Sequence, residues 1–180
     1  MPFRKWLPEN ARPGLVLKPH PESGELIMRL TEILLRGPST LTPAQRELIA
    51  AYTSAVNACE FCYGTHAATT EALGIDETWL TRLIDDIETA DVDEELKPIL
   101  RYVRKLTRTP SRVQQKDVDA IFAAGWDEDA FYHVVTICGL FNFYNRLIDG
   151  YGVKSKPDYR QMVGKRLAEQ GYTSALKIPD

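Results

Sequence analysis

Cysteine is scarce in this 180-residue sequence, with only Cys59, Cys62 and Cys138 present. Residues 1–14 hold no apolar stretch long enough for a secretory signal. Three thiols without an export signal exclude a disulfide-stapled secreted scaffold and point to a reducing, cytoplasmic setting. Long hydrophobic runs are missing too. The most apolar window, residues 131–148, is interrupted by His133, Asn142, Asn145 and Arg146, so it reads as a buried helix and not as a membrane span. No segment alternates convincingly with period two, which removes the case for a sheet. Nor does one charge dominate: the net charge of −3 gives no general reason to expect a nucleic-acid partner. The local exception lies between Asp76 and Glu95, where nine acidic residues face one base, Arg82. Such a run is a solvated face or an acidic docking surface.

What is present is helical periodicity. A chain of 180 residues with 44% apolar content can close one core without disulfide staples. Residues 1–21 hold five prolines and read as an extended N-terminal arm. Residues 22–170 read as one all-α domain, a single helical bundle, and 171–180 as a C-terminal tail. Leu26, Ile27, Leu30, Ile33 and Leu34 mark one face of a first helix stopped by Gly37-Pro38. Thr42-Pro43-Ala44-Gln45 predicts a capping box and a second helix to about Val56. Asn57 and Glu60 suggest a second capping box, opening a third helix that Gly74 ends. Further helices are expected from near Asp76, Asp93 and Gln114, then a long one from Asp127 to about Gly150. A basic amphipathic segment, residues 159–170, closes the domain.

The chemistry gathers at Cys59, Cys62 and His66. At about 100° per residue, the three side chains of a helix over 59–73 fall within about 60° of arc. His66 lies one turn above Cys62 and leans toward it, whereas Cys59 is roughly 10.5 Å away along the axis. His66 therefore serves Cys62 first, as proton acceptor or as imidazolium beside a thiolate. Glu47 lies as far before the Asn57–Ala58 reversal as His66 lies after it, to within two residues, so an antiparallel pair sets them at similar height. A carboxylate there can orient the imidazole; alone, it would be an ordinary solvated acid. A zinc site is the competing reading, but Cys59, Cys62 and His66 supply three ligands and no second C-x-x-C or C-x-x-H exists for a fourth. Cys138, in the apolar helix, reads as a structural thiol, and His20 and His133 have no evident partners.

These residues carry a resemblance. Glu47, eleven intervening residues, the run C-E-F-C-Y-G-T-H from Cys59 to His66, and the late segment F-N-F-Y-N-R-L-I-D-G at 141–150 resemble the alkylhydroperoxidase D / carboxymuconolactone decarboxylase-like family, in its peroxidase-related branch. The resemblance implies an all-helical fold, a homotrimer or homohexamer, and no metal or other cofactor. It also implies a hydroperoxide substrate and a dithiol or protein reductant. By similarity Cys62 is the peroxidatic thiolate, Cys59 resolves it to a Cys59–Cys62 disulfide, and His66 with Glu47 forms the proton relay. Phe61 is a departure, standing where family members often carry a second histidine. Carboxymuconolactone decarboxylases themselves lack the cysteine pair, so the motif does not predict lactone chemistry. Two rivals remain open at this point: a thiol–disulfide oxidoreductase, and a redox-sensing binding module without turnover.

Overall fold

The segments with helical periodicity are helices in the structure, a computed structural model that describes residues 1–173, the side chain of Glu77 excepted. In chain order they are α1 (Pro13–Leu17), α2 (Pro21–Arg36), α3 (Pro43–Val56), α4 (Glu60–Ala72), α5 (Glu77–Asp85), α6 (Leu96–Arg108), α7 (Gln115–Ala123), α8 (Glu128–Gly150) and α9 (Pro157–Gln170). One 3-10 turn, Pro110–Arg112, separates α6 from α7, and no strand occurs among the described residues.

Local chemistry sets the boundaries. Thr42 and Gln45 close the expected capping box reciprocally, with Pro43 in the first turn of α3. At the far end of α4, Gly74 takes φ +96° and donates to the Glu71 carbonyl, while the Ile75 N–H reaches Thr70. This paired arrangement ends the helix and suits a residue without Cβ. The second expected capping box is absent. Asn57 instead ends α3, and its amide donates to Asn142 and Asn145 of α8. Ala58 turns the chain at φ +56°, Cys59 becomes the N-cap of α4, and Glu60 pairs with Arg160 of α9. Cys59 is therefore just outside the helix on which its angular position was reckoned.

The α3–α4 hairpin is central. Helices α6 and α8 pack on α3, and α9 runs along α4. The main core joins Leu48, Ile49, Leu83, Ile99, Val103, Ile137 and Phe141, each fully buried side chain contributing roughly 1.5–3 kcal/mol. Close approach of α9 depends on Gly164, where a Cβ would lie 2.7 Å from the backbone of Ala68. A second, smaller core surrounds the cysteines and is completed by Leu7, Ala11 and Val16 of the N-terminal arm.

That arm is thus not fully extended: it contains α1 and packs on its own chain. The expected tail differs as well. Gly171 and Tyr172 are buried in the domain, while residues 174–180 lie outside the described residues. On α2 the buried residues are Gly24, Thr31, Leu34 and Leu35, because Thr31 hydrogen-bonds the Tyr144 hydroxyl. Leu26, Leu30 and Ile33 of the expected apolar face are exposed. The acidic run divides between α5 and the loop after it, and Glu88 and Glu94 are tied to Arg101 and Lys97. No helix among the described residues is long and apolar enough to cross a membrane.

Candidate functional site

The four residues singled out in sequence converge on one face of the hairpin. His66 Nδ1 lies 2.7 Å from Glu47 Oε2, and both side chains are buried. Glu47 is fully enclosed, which alone would push its carboxyl up. The His66 hydrogen bond and charge, the Arg36 guanidinium and the Tyr172 hydroxyl outweigh burial and hold it below the usual carboxylate range. Arg36 donates at 2.6 Å to the same Oε1 that accepts from Tyr172 at 2.5 Å. Tyr172 stays a phenol: burial, then the facing Glu47 charge, pushes its pKa far up. Its ring stacks on His66 and lies under Arg36, and its backbone N–H is held by Glu32.

Phe141 meets the His66 ring edge-on, with centroids 4.4 Å apart. With Nδ1 engaged by Glu47, Nε2 bonds no described residue and is left for the cavity that His66 helps to line. That differs from the expected direct contact, since no hydrogen bond joins His66 to Cys62. The immediate partners of Cys62 are Cys59 and the Asn145 amide.

The two thiols are free and hydrogen-bonded to each other. They lose protons as a pair. Cys59 is held below the ordinary thiol range chiefly because Cys62 donates to it. The proton that Cys62 donates to Cys59, then burial, holds Cys62 well above that range; Asn145 favours its thiolate and Asp149 opposes it. One thiolate is accessible, and a second is costly. Access distinguishes the sulfurs differently: Cys62 lines a cavity of about 860 Å³, whereas Cys59 is 0% exposed behind it. Tyr144 also lines this cavity, its hydroxyl pKa raised by burial to about 12. Cys138 is buried in the main core and not in that of the pair, and bonds Thr107, and His133 is anchored to the Asp129 carbonyl. Among the described residues, no cluster of three or more histidine, cysteine, aspartate or glutamate side chains is arranged to hold a metal.

Sequence reasoning missed Arg36, Tyr172 and Asn145. Asn145 left a trace, as an amide interrupting an apolar helix. Arg36 looked like an ordinary basic residue at a helix end, and Tyr172 followed the last periodic segment, so neither carried a signal.

Solved structures with this fold include an uncharacterized peroxidase-related protein from Silicibacter sp. TM1040, with a TM-score of 0.72 and 23% identity over 78% of this chain and 74% of its own. An uncharacterized peroxidase-related protein from Ralstonia eutropha JMP134, described as an alkylhydroperoxidase AhpD core, gives 0.75 and 21% over 84% and 79%. A protein of unknown function from Agrobacterium tumefaciens, described as an AhpD candidate in antioxidant defence, gives 0.66 and 21% over 78% and 94%. No curated protein matches the chain in sequence. The fold is that of the alkylhydroperoxidase D-like helical proteins. The model of the carboxymuconolactone decarboxylase family matches residues 21–103, in keeping with the resemblance read from the sequence.

Proposed function

We propose that this protein is a cytoplasmic, thiol-dependent hydroperoxide reductase that cycles between dithiol and a Cys59–Cys62 disulfide. The observation that carries the reading is the cavity wall, where Cys62 and His66 are presented together while Cys59 waits behind Cys62. The pair's first proton passes to His66, whose Nδ1 is steadied by Glu47. The Cys62 sulfur takes the terminal peroxide oxygen, the O–O bond breaks, and the departing alkoxide recovers that proton as an alcohol. Cys59 then attacks the Cys62 sulfenic acid; its proton leaves with the hydroxide as water, and the disulfide forms. An external dithiol restores the pair by exchange. Each turnover converts one hydroperoxide and one dithiol into alcohol, water and disulfide.

A thiol–disulfide oxidoreductase acting on protein disulfides fits less well, because Cys62 is 4% exposed and sits in a cavity that a folded partner cannot enter. The family's decarboxylase chemistry gives the cysteine pair no task. Homotrimeric or homohexameric assembly belongs to the proposal, with the exposed Leu26, Leu30 and Ile33 row as an apolar surface for it. Light scattering should then give a multiple of the 20.4 kDa chain mass.

The deciding experiment mixes pre-reduced protein with hydrogen peroxide or organic hydroperoxides and follows thiol loss and disulfide mass. Stoichiometric loss of the Cys59 and Cys62 thiols with alcohol formation is expected. Thiols that persist through many peroxide equivalents would overturn the proposal and favour a sensing module.

A further inference from the structure

We infer that the cavity beside Cys62 is built for an amphipathic substrate, an apolar chain that carries its hydroperoxide along its length and a carboxylate at one end. The inference rests on the reading of Cys62 as the peroxide-reducing thiol.

Arg166 of α9 lines the cavity, and its Nε is buried without an acceptor. Arg36 and Arg46 also leave Nε unpaired, but their other nitrogens are engaged, by Glu47 and the Leu167 carbonyl and by the Leu34 and Gly37 carbonyls. The Arg166 guanidinium has no hydrogen bond or ion pair to any described residue. A half-buried cation with an unsatisfied donor is costly unless something supplies the acceptors. Arg12 stands on the same cavity, and the charges of both guanidiniums are felt at the Tyr159 hydroxyl, which lines it too. Glu25 is the acid on this lining, and it is paired with Arg29. The cationic wall thus matches an anion, and paired guanidinium donors suit the flat, two-oxygen geometry of a carboxylate.

The rest of the wall is apolar. Leu15, Met28, Phe61, Phe141, Met162 and Val163 face the same space, whose volume of about 860 Å³ lies within the range of small-molecule sites. An apolar chain is what such walls desolvate favourably. Its length follows from the helix register. Gly64 packs against Arg160 and Gly164 against Ala68, so α9 follows α4 in the same direction and Arg166 lies near the level of Thr70. That is eight residues, roughly 12 Å, beyond Cys62. A carboxylate on Arg166 and a peroxide at Cys62 must therefore be separated by a chain, which rules out short peroxy acids. Long-chain fatty-acid hydroperoxides meet all three conditions. The chemistry is the thiol reaction above: the hydroperoxide leaves as the hydroxy acid, and the external dithiol supplies the electrons.

The test compares linoleic acid hydroperoxide with its methyl ester on the full-length protein. The wild type should favour the acid in kcat/KM by about tenfold or more, the gain of one charge-assisted contact. Arg166→Met should bring that ratio toward one, chiefly through KM for the acid. An acid-to-ester ratio near one in the wild type, or one that Arg166→Met leaves untouched, would overturn the inference. A binding arm separates it from the thiol reading. Calorimetry should show decanoate binding at least about tenfold tighter than decanol, with the difference lost in Arg166→Met. That preference without any peroxide turnover would remove the reductase and keep the carboxylate site; turnover without the preference would do the reverse.

Discussion

The two ends of the α3–α4 hairpin solve opposite problems. At the turn, Cys59 and Cys62 sit in a small apolar core with one amide, from Asn145, against the Cys62 sulfur. Toward the other end, Glu47 is a wholly buried charge surrounded by partners from two other helices and the chain beyond α9. The thiol end can be sparse because a protonated thiol tolerates apolar surroundings. The acid end must be crowded, because a carboxylate in that position stays ionised only while every neighbour donates to it. His66 is the residue that belongs to both, held by the acid and lining the cavity of the thiol.

The comparison is broken most severely at the thiol. Cys62→Ser should abolish peroxide consumption altogether, whereas Cys59→Ser should consume one equivalent and leave a trappable sulfenic acid on Cys62. Mass spectrometry locates it; a sulfenic acid on Cys59 in the Cys62→Ser protein would reverse the roles, in the order that the thiolate preference of Cys59 favours.

Next comes the acid. Glu47→Ala leaves Arg36 and His66 buried without their counter-charge and should cost about 3–5 kcal/mol in urea unfolding. The pH dependence has a definite sign. Glu47 is depressed in the folded state, so above the ordinary glutamate range its contribution is complete, and it is lost as pH falls through the lowered value. Wild-type stability should decline on that acid side, and the part due to Glu47 should vanish in Glu47→Gln.

Tyr172→Phe removes one donor and keeps the ring. Its expected cost is about 1–3 kcal/mol, with slower alkylation of Cys62 at neutral pH. Unchanged stability and alkylation would show that Arg36 and His66 satisfy the carboxylate by themselves.

Thiolate absorbance sharpens the other end without a mutation. One thiolate equivalent should appear below the ordinary thiol range and the second only well above it. Both appearing in one step would mean the thiols do not share a proton. The smallest effect is expected at the turn, where Ala58→Gly relieves a left-handed conformation and should stabilise by no more than about 1 kcal/mol.

The hairpin end made by neighbours in sequence was legible in advance. Thr42–Gln45 announced α3, Gly74 announced the end of α4, and helical rise placed Glu47 level with His66. The start of α4 was misjudged because Asn57 has two chemically reasonable uses, and sequence cannot weigh a local cap against the amides of α8. Arg36 and Tyr172 were invisible for a related reason. Their side chains are common, and only the three-dimensional arrangement shows that both serve one carboxylate. The apolar face of α2 was misassigned because Thr31, polar by type, is buried through its bond to Tyr144.

The Tyr172–Glu47 bond joins residues 125 positions apart, while Glu47 and His66 are separated by only 19. Loop closure makes the short-range contact accessible early in folding and the long-range one late. The hairpin with its cysteines can therefore form while Glu47 still lacks the phenol that completes its shell. Helix content and chemical competence need not return together when the chain refolds. A kinetic trace of far-ultraviolet dichroism would then run ahead of one that reports a settled Tyr172, and the interval between them is the lifetime of a helical protein whose site is unfinished.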